Sequence, residues 1–231
     1  IDLYRRALAL LEYTLGPEHP QVATTLSNLA LVHQSTGEYA EAIRLLTRAI
    51  AIRDDALGPG HPQQAAGLDN LALVHHAMGN HAEAARLFVQ ALAIHERTQG
   101  PDHPQVADCL HNLATVRHAT GDLDDATRLL TRALAIYDAL QADADHPMMA
   151  TSLAALAQIH LTRGHHDEAL RLYTRALAIF GASLGPDHPS NAHILNGLGN
   201  THLAMGRTDL ALPLLERALT LRSGGDVQRE E

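Results

Sequence analysis

Histidine, aspartate, asparagine and one cysteine are the side chains of this chain that could do chemistry. There are 17 His and a single Cys, Cys109, in 231 residues. Imidazoles near carboxylates raise the prospect of a metal site or of proton transfer. The densest grouping is His76, His111 and His118 with Asp69 and Asp108. His111 and His118 stand two turns apart on one helix face, too far to chelate one ion without another ligand. The chain has no His-Glu-x-x-His run and no Cys/His pair at zinc spacing, so neither a metal nor a cofactor is expected. Gly181-Ala182-Ser183-Leu184-Gly185 matches the Gly-x-Ser-x-Gly pattern of an activated serine. That pattern needs a strand before the serine and a helix after it, and here it ends a helix and enters a linker. A lone Cys109 excludes an internal disulfide and a thiolate metal cage. It reads as a small, buried, unreactive thiol. All 17 basic residues are Arg, which removes Schiff-base and lysine-base chemistry. No catalytic residues can be assembled, and the chain is not expected to be an enzyme.

The composition bounds the rest. Hydrophobic residues make up 46%, charged residues 19% and aromatics 3%, with no Trp and a net charge of -9. Ala and Leu dominate the apolar set, and both are strong helix formers. An acidic chain poor in aromatics is not expected to bind nucleic acid, which needs clustered cations and stacking platforms. No apolar run approaches a membrane span and no signal peptide opens the chain, so a cytoplasmic protein with no membrane contact is expected. The Arg-, Ala-, Leu- and His-rich, Lys-free composition resembles the coding bias of a GC-rich bacterial genome. The chain opens at Ile1 in mid-pattern, which reads as a piece of a longer protein.

The elements that position these residues repeat. Leu15-Gly16-Pro17-Glu18-His19-Pro20 recurs as Leu57-Gly58-Pro59-Gly60-His61-Pro62, as Gly100-Pro101-Asp102-His103-Pro104 and as Leu184-Gly185-Pro186-Asp187-His188-Pro189. The step is 42 residues, except that the linker at Asp145-His146-Pro147 comes one residue later and lacks the Gly-Pro. Between linkers, Leu26, Leu68, Leu110, Leu153 and Leu195 align, as do Leu29, Leu71, Leu113, Leu156 and Leu198. At helical spacing they form one apolar stripe. Gly37, Gly79, Gly121, Gly164 and Gly206 align where a tight reversal must end the first helix. The Ala42 and Ala49 columns sit seven apart on the second helix, where small side chains let paired helices cross closely. The boundaries follow: 1–15 is the second helix of a truncated repeat, full repeats span 16–57, 58–99, 100–141, 142–184 and 185–222, and 223–231 is a disordered tail. No strand is expected. Pro213, Gly197 and Gly199 predict that the last repeat is the weakest.

These columns resemble the tetratricopeptide family. The 42-residue period and the Leu-Gly-Pro-Asp-His-Pro linker resemble its kinesin light chain subclass. The resemblance implies an all-α, right-handed α-solenoid of helix-turn-helix repeats, in which each unit buries its stripe on its neighbours. It also implies a scaffold that binds a protein or peptide partner, with self-association through the exposed solenoid ends as a further expectation.

In the family the first helices line a concave groove. By position this places Asn28, Asn70 and Asn112 inward, continued by Ala155 and Gly197, where the ladder breaks. An amide offers a donor and an acceptor together, which suits a peptide backbone. The other reading is that these amides satisfy their own helix neighbours. Asp69, Asp108, His76, His111 and His118 also fall inward, and no Arg does. That argues against capture of a terminal carboxylate and predicts a mildly negative groove that favours a basic peptide and weakens its grip as His becomes charged. The Arg residues fall on second helices, with Glu41, Glu83, Asp125 and Glu168 three residues before Arg44, Arg86, Arg128 and Arg171; this reads as a solvated outer face. The competing functional reading is a regulatory or sensor arm of a bacterial signalling protein, either a nucleotide-switch ATPase or a protease, packed on its own upstream domain.

Overall fold

A computed structural model of the chain describes residues 1–58, 60–140 and 147–227, with side chains to Ser223. Pro59, the start of the fourth linker at Asp145 and His146, the 141/142 repeat boundary and residues 228–231 lie outside the described residues. The described residues form two units, Ile1–Gly121 and Asp122–Glu231. The first holds α1 (Asp2–Leu15), α2 (Pro20–Ser35), α3 (Tyr39–Leu57), α4 (Pro62–Ala77), α5 (His81–Gln99) and α6 (Pro104–Ala119). The second holds α7 (Leu123–Ala139), α8 (Pro147–Thr162), α9 (His166–Leu184), α10 (Asn191–Ala204) and α11 (Thr208–Val227). Helix α11 thus runs into the stretch expected to be a tail. No strand occurs among the described residues, and no described helix is long and apolar enough to cross a membrane.

The linker residues start the first helices in a way their types dictate. His19, His61 and His103 hold extended backbone, and each Nδ1 accepts the amide of the residue two on, Gln21, Gln63 or Gln105, at 3.2 Å. The following Pro has no amide to leave orphaned. His188 makes the same bond to the amide of Ser190. At the far end, Gly37 adopts φ 79°. Its amide bonds Gln34 O at 3.1 Å, while that of Glu38 bonds His33 O at 2.8 Å. This double closure satisfies carbonyls that the helix leaves open. The same pair of bonds recurs around Gly79, Gly164 and Gly206.

Within each unit consecutive helices pack on one another. The aligned Leu columns from Leu26 to Leu195 and from Leu29 to Leu198 are buried, as are the Ala columns at 42, 84, 126, 169, 211 and at 49, 91, 133, 176, 218. Each buried Leu contributes roughly 1.5–3 kcal/mol. The outer Arg residues pair as spaced: Arg44–Glu41 at 2.6 Å, Arg86–Glu83 at 2.5 Å, Arg128–Asp125 at 2.5 Å and Arg171–Glu168 at 2.6 Å. The next Arg column does more than meet solvent. Arg48 reaches back to Glu12 at 2.7 Å and to Pro17 O at 3.2 Å, and Arg175 pairs with Asp138. A guanidinium is long enough to tie a second helix to the one before it.

Candidate peptide-binding face

The eight candidate binding residues all belong to the first unit, on α2, α4 and α6. Helix α2 touches α4, and α4 touches α6, so the three first helices stand side by side. Asn28 is exposed, and Asn70 and Asn112 are half-buried. None of the three makes a hydrogen bond through its amide among the described residues. The local-satisfaction reading therefore has no bond to rest on, and each helix offers one free donor–acceptor pair to whatever lies across it.

The charged residues divide. His118 is exposed and Asp108 half-buried. Asp69 is engaged from behind: the Nε2–H of His95, a buried residue of α5, donates to its Oδ2 at 2.8 Å. His76 is half-buried, with its Nδ1 3.2 Å from Nδ1 of His81. Burial first, and the His81 charge second, push its pKa below the ordinary histidine value. His111 departs most from expectation, being only 7% exposed. Burial pushes its pKa down to about 4, with Asp108 pulling weakly the other way. It therefore stays neutral across the range in which the sequence made it a groove switch. His111 sits mid-helix under its neighbours, while His118 lies in the last turn.

Cys109 is 1% exposed, and its thiol donates to Phe88 O at 3.4 Å. Burial and then the neighbouring Asp69 carboxylate push its pKa well above the ordinary thiol value. It is therefore not a nucleophile at neutral pH. Ser183 donates to Ile179 O at 2.9 Å within the last turn of α9, so its Gly-x-Ser-x-Gly setting is helical. Among the described residues no three His, Cys, Asp or Glu side chains converge as metal ligands.

Two groups behind this face are not on first helices, where the repeat pattern placed the candidate residues. His95 and Arg53 come from the second helices α5 and α3, and they share one repeat position. The column reads Arg53, His95, Tyr137, Phe180, Arg222. Its changing chemistry, against the constancy of the Ala columns, was the available signal.

The tetratricopeptide repeat model matches residues 1–55, 21–97, 63–139, 138–182 and 149–223. The chain belongs to the tetratricopeptide repeat family. Its TPR repeats are similar to the nearly identical, kinesin light chain-type TPR-like repeats of Podosopora anserina, at 30% identity and a TM-score of 0.71 over 90% of this chain and 98% of that one. They are similar in fold to BtubC (BKLC) from P. vanneervenii, at 21% identity and a TM-score of 0.79 over 96% and 88%. A third likeness is to the Rap conjugation gene regulator of plasmid pLS20, solved with the Phr* peptide. It is 15% identical, with a TM-score of 0.72 over 88% of this chain and 54% of that one. Among curated proteins none matches in sequence. TPR repeats of this kind mediate protein–protein interaction.

Proposed function

We propose that the first-helix face of the first unit is a groove that holds an extended peptide, with Asn28, Asn70 and Asn112 gripping its backbone. The observation that carries this is the set of three side-by-side amides without a partner among the described residues. An amide offers a donor and an acceptor together, which matches a peptide unit without reading its side chain. The Rap regulator, solved with a peptide on a similar fold, supports the same use here. Asp108 and His118 flank the third amide and favour a basic side chain at that end. Asp69 contributes less charge to the surface than its position suggests, because His95 already engages it.

The test is a peptide selected from a random display library against the full chain, then measured by calorimetry. Asn70→Ala and Asn112→Ala should each weaken binding by about five- to tenfold at unchanged thermal stability. Asp108→Asn should weaken a basic peptide and spare a neutral one. Affinity that is indifferent to both Asn variants would move the binding face elsewhere.

A further inference from the structure

Two histidine pairs span hairpin turns with their ring nitrogens face to face. Nδ1 of His76, in the last turn of α4, lies 3.2 Å from Nδ1 of His81, the first residue of α5. Nδ1 of His160, in the last turn of α8, lies 3.3 Å from Nδ1 of His165, the residue that precedes α9. The rings are tilted at 49° and 44°, so each pair meets at its nitrogens and is not a stack of faces. The turn backbone holds both ends of each pair. The amide of His165 donates to His160 O at 2.9 Å across Gly164, whose φ is 77°. His76 O accepts the amide of Gly79 at 2.9 Å, and the amide of His81 donates to Gly79 O at 2.9 Å.

The first repeat shows a different partner across the same span. The residues equivalent to His160 and His165 are His33 and Glu38, and His33 Nδ1 meets Glu38 Oε2 at 2.9 Å. A carboxylate is a standing acceptor for a ring N–H, and a second imidazole is not. Two neutral rings bond only when one Nδ1 carries a proton and the other does not. In the remaining combinations two lone pairs, or two N–H groups, face each other. The His76–His81 pair lies one residue further along the repeat, where the first repeat has Gln34 and Tyr39 and the third has His118 and Leu123. Two different registers thus give nearly the same separation of nitrogens.

That separation has a chemical meaning. A tetrahedral zinc ion with Zn–N bonds of about 2.0–2.1 Å sets two ligand nitrogens about 3.3–3.4 Å apart. Imidazole nitrogen suits zinc, copper and nickel, whereas magnesium takes oxygen. Burial, above all, holds the pKa of His76 and of His160 below the ordinary histidine value, which favours the neutral ring that a metal requires. We propose that His76–His81 and His160–His165 are each a two-nitrogen site for a zinc-class divalent ion, which takes the place of the shared proton and staples the end of one helix to the start of the next. Two protein ligands leave the other positions to water or to a donor atom of a partner, in keeping with the lack of a third convergent His, Cys, Asp or Glu among the described residues. The site needs no peptide in the groove. The sequence expectation of no metal rested on familiar ligand spacings, and side chains five residues apart meet only because the glycine turn folds them together.

Two measurements on the full chain at neutral pH test this. The first is calorimetric titration with zinc sulfate, against magnesium sulfate at equal ionic strength. Zinc should fill two sites ahead of any other histidine, and magnesium neither. His81→Gln should weaken one site and His165→Gln the other, each by at least about tenfold, with circular dichroism unchanged in the absence of metal. The second needs no variant and follows the imidazole nitrogens by ¹⁵N NMR, assigned through the side-chain carbons. Zinc should move Nδ1 of His76, His81, His160 and His165 before it moves His19, His61, His103 or His188, whose Nδ1 already accepts an amide. Zinc should also slow exchange of the His81 and His165 amides. Absence of zinc binding overturns the proposal. So does a titration indifferent to both variants, or a first response at the other histidines, either of which means an adventitious ion only. A pair that stays silent while the other responds is struck on its own.

Discussion

Tyr173 lies over Gly197 so closely that a Cβ on the glycine would come within 2.4 Å of the ring carbon Cζ. The Tyr173 hydroxyl donates to Gln158 Oε1 at 2.9 Å, and the ring is fully buried. Burial pushes the phenol pKa up to about 12. The asparagine column is therefore closed to a side chain at Gly197 for a steric reason: the Tyr173 ring fills the space that a Cβ would need.

Gly197→Asn should thus be destabilising by about 1–3 kcal/mol through overpacking. Leu46, Phe88, Leu130 and Leu215 occupy the Tyr173 position in the other repeats. Tyr173→Leu should accordingly relieve most of that cost, and a double-mutant cycle in urea would measure the relief. Additive costs would show that the ring is not the obstacle.

His111 should make the first unit acid-sensitive. Its folded pKa of about 4 lies below the ordinary value of 6.5. A depressed folded pKa contributes stability that is present above pH 6.5 and is lost as pH falls toward 4. The loss is about 3 kcal/mol over that window. Urea unfolding at pH 7 and pH 4 should show a smaller difference in His111→Gln than in the parent by about that amount.

Cys109 should label only when the chain opens. With its thiol enclosed and its pKa raised, reaction with a disulfide reagent should be at least about a hundredfold slower in the native chain than in urea. Stoichiometric labelling of the native chain within seconds would show that the α5–α6 packing over the thiol is not closed.

Pro213 sits inside α11, at the position held by Arg44, Arg86, Arg128 and Arg171 in the other repeats. It removes one helix hydrogen bond and crowds the carbonyl four residues before it. Pro213→Arg should stabilise the last hairpin by about 1–3 kcal/mol, read as slower hydrogen exchange of the α11 amides. Unchanged exchange would place the weakness of that hairpin elsewhere.

The fold was legible because packing prints the same residue at the same place in every repeat. The Leu and Ala columns could be read for depth as well as position, and each proved buried. That Asn28, Asn70 and Asn112 share one column was legible for the same reason. Depth within that face was not. His111 and His118 are seven residues apart and point the same way, yet only the terminal one escapes its neighbours. Arg53 and His95 were not legible as neighbours of that face, because they come from second helices through a column that tolerates a cation, an imidazole or a ring.

The histidine before α2, α4 and α6 has a consequence for how such repeats accumulate. Each ring spends its Nδ1 on the amide two residues on, and His188 does the same ahead of α10. These imidazoles are therefore committed to starting helices, each cap contributing roughly 1 kcal/mol. A chain that gains another repeat of this type gains its own starting signal with it, so the new hairpin needs no support borrowed from a distant part of the chain.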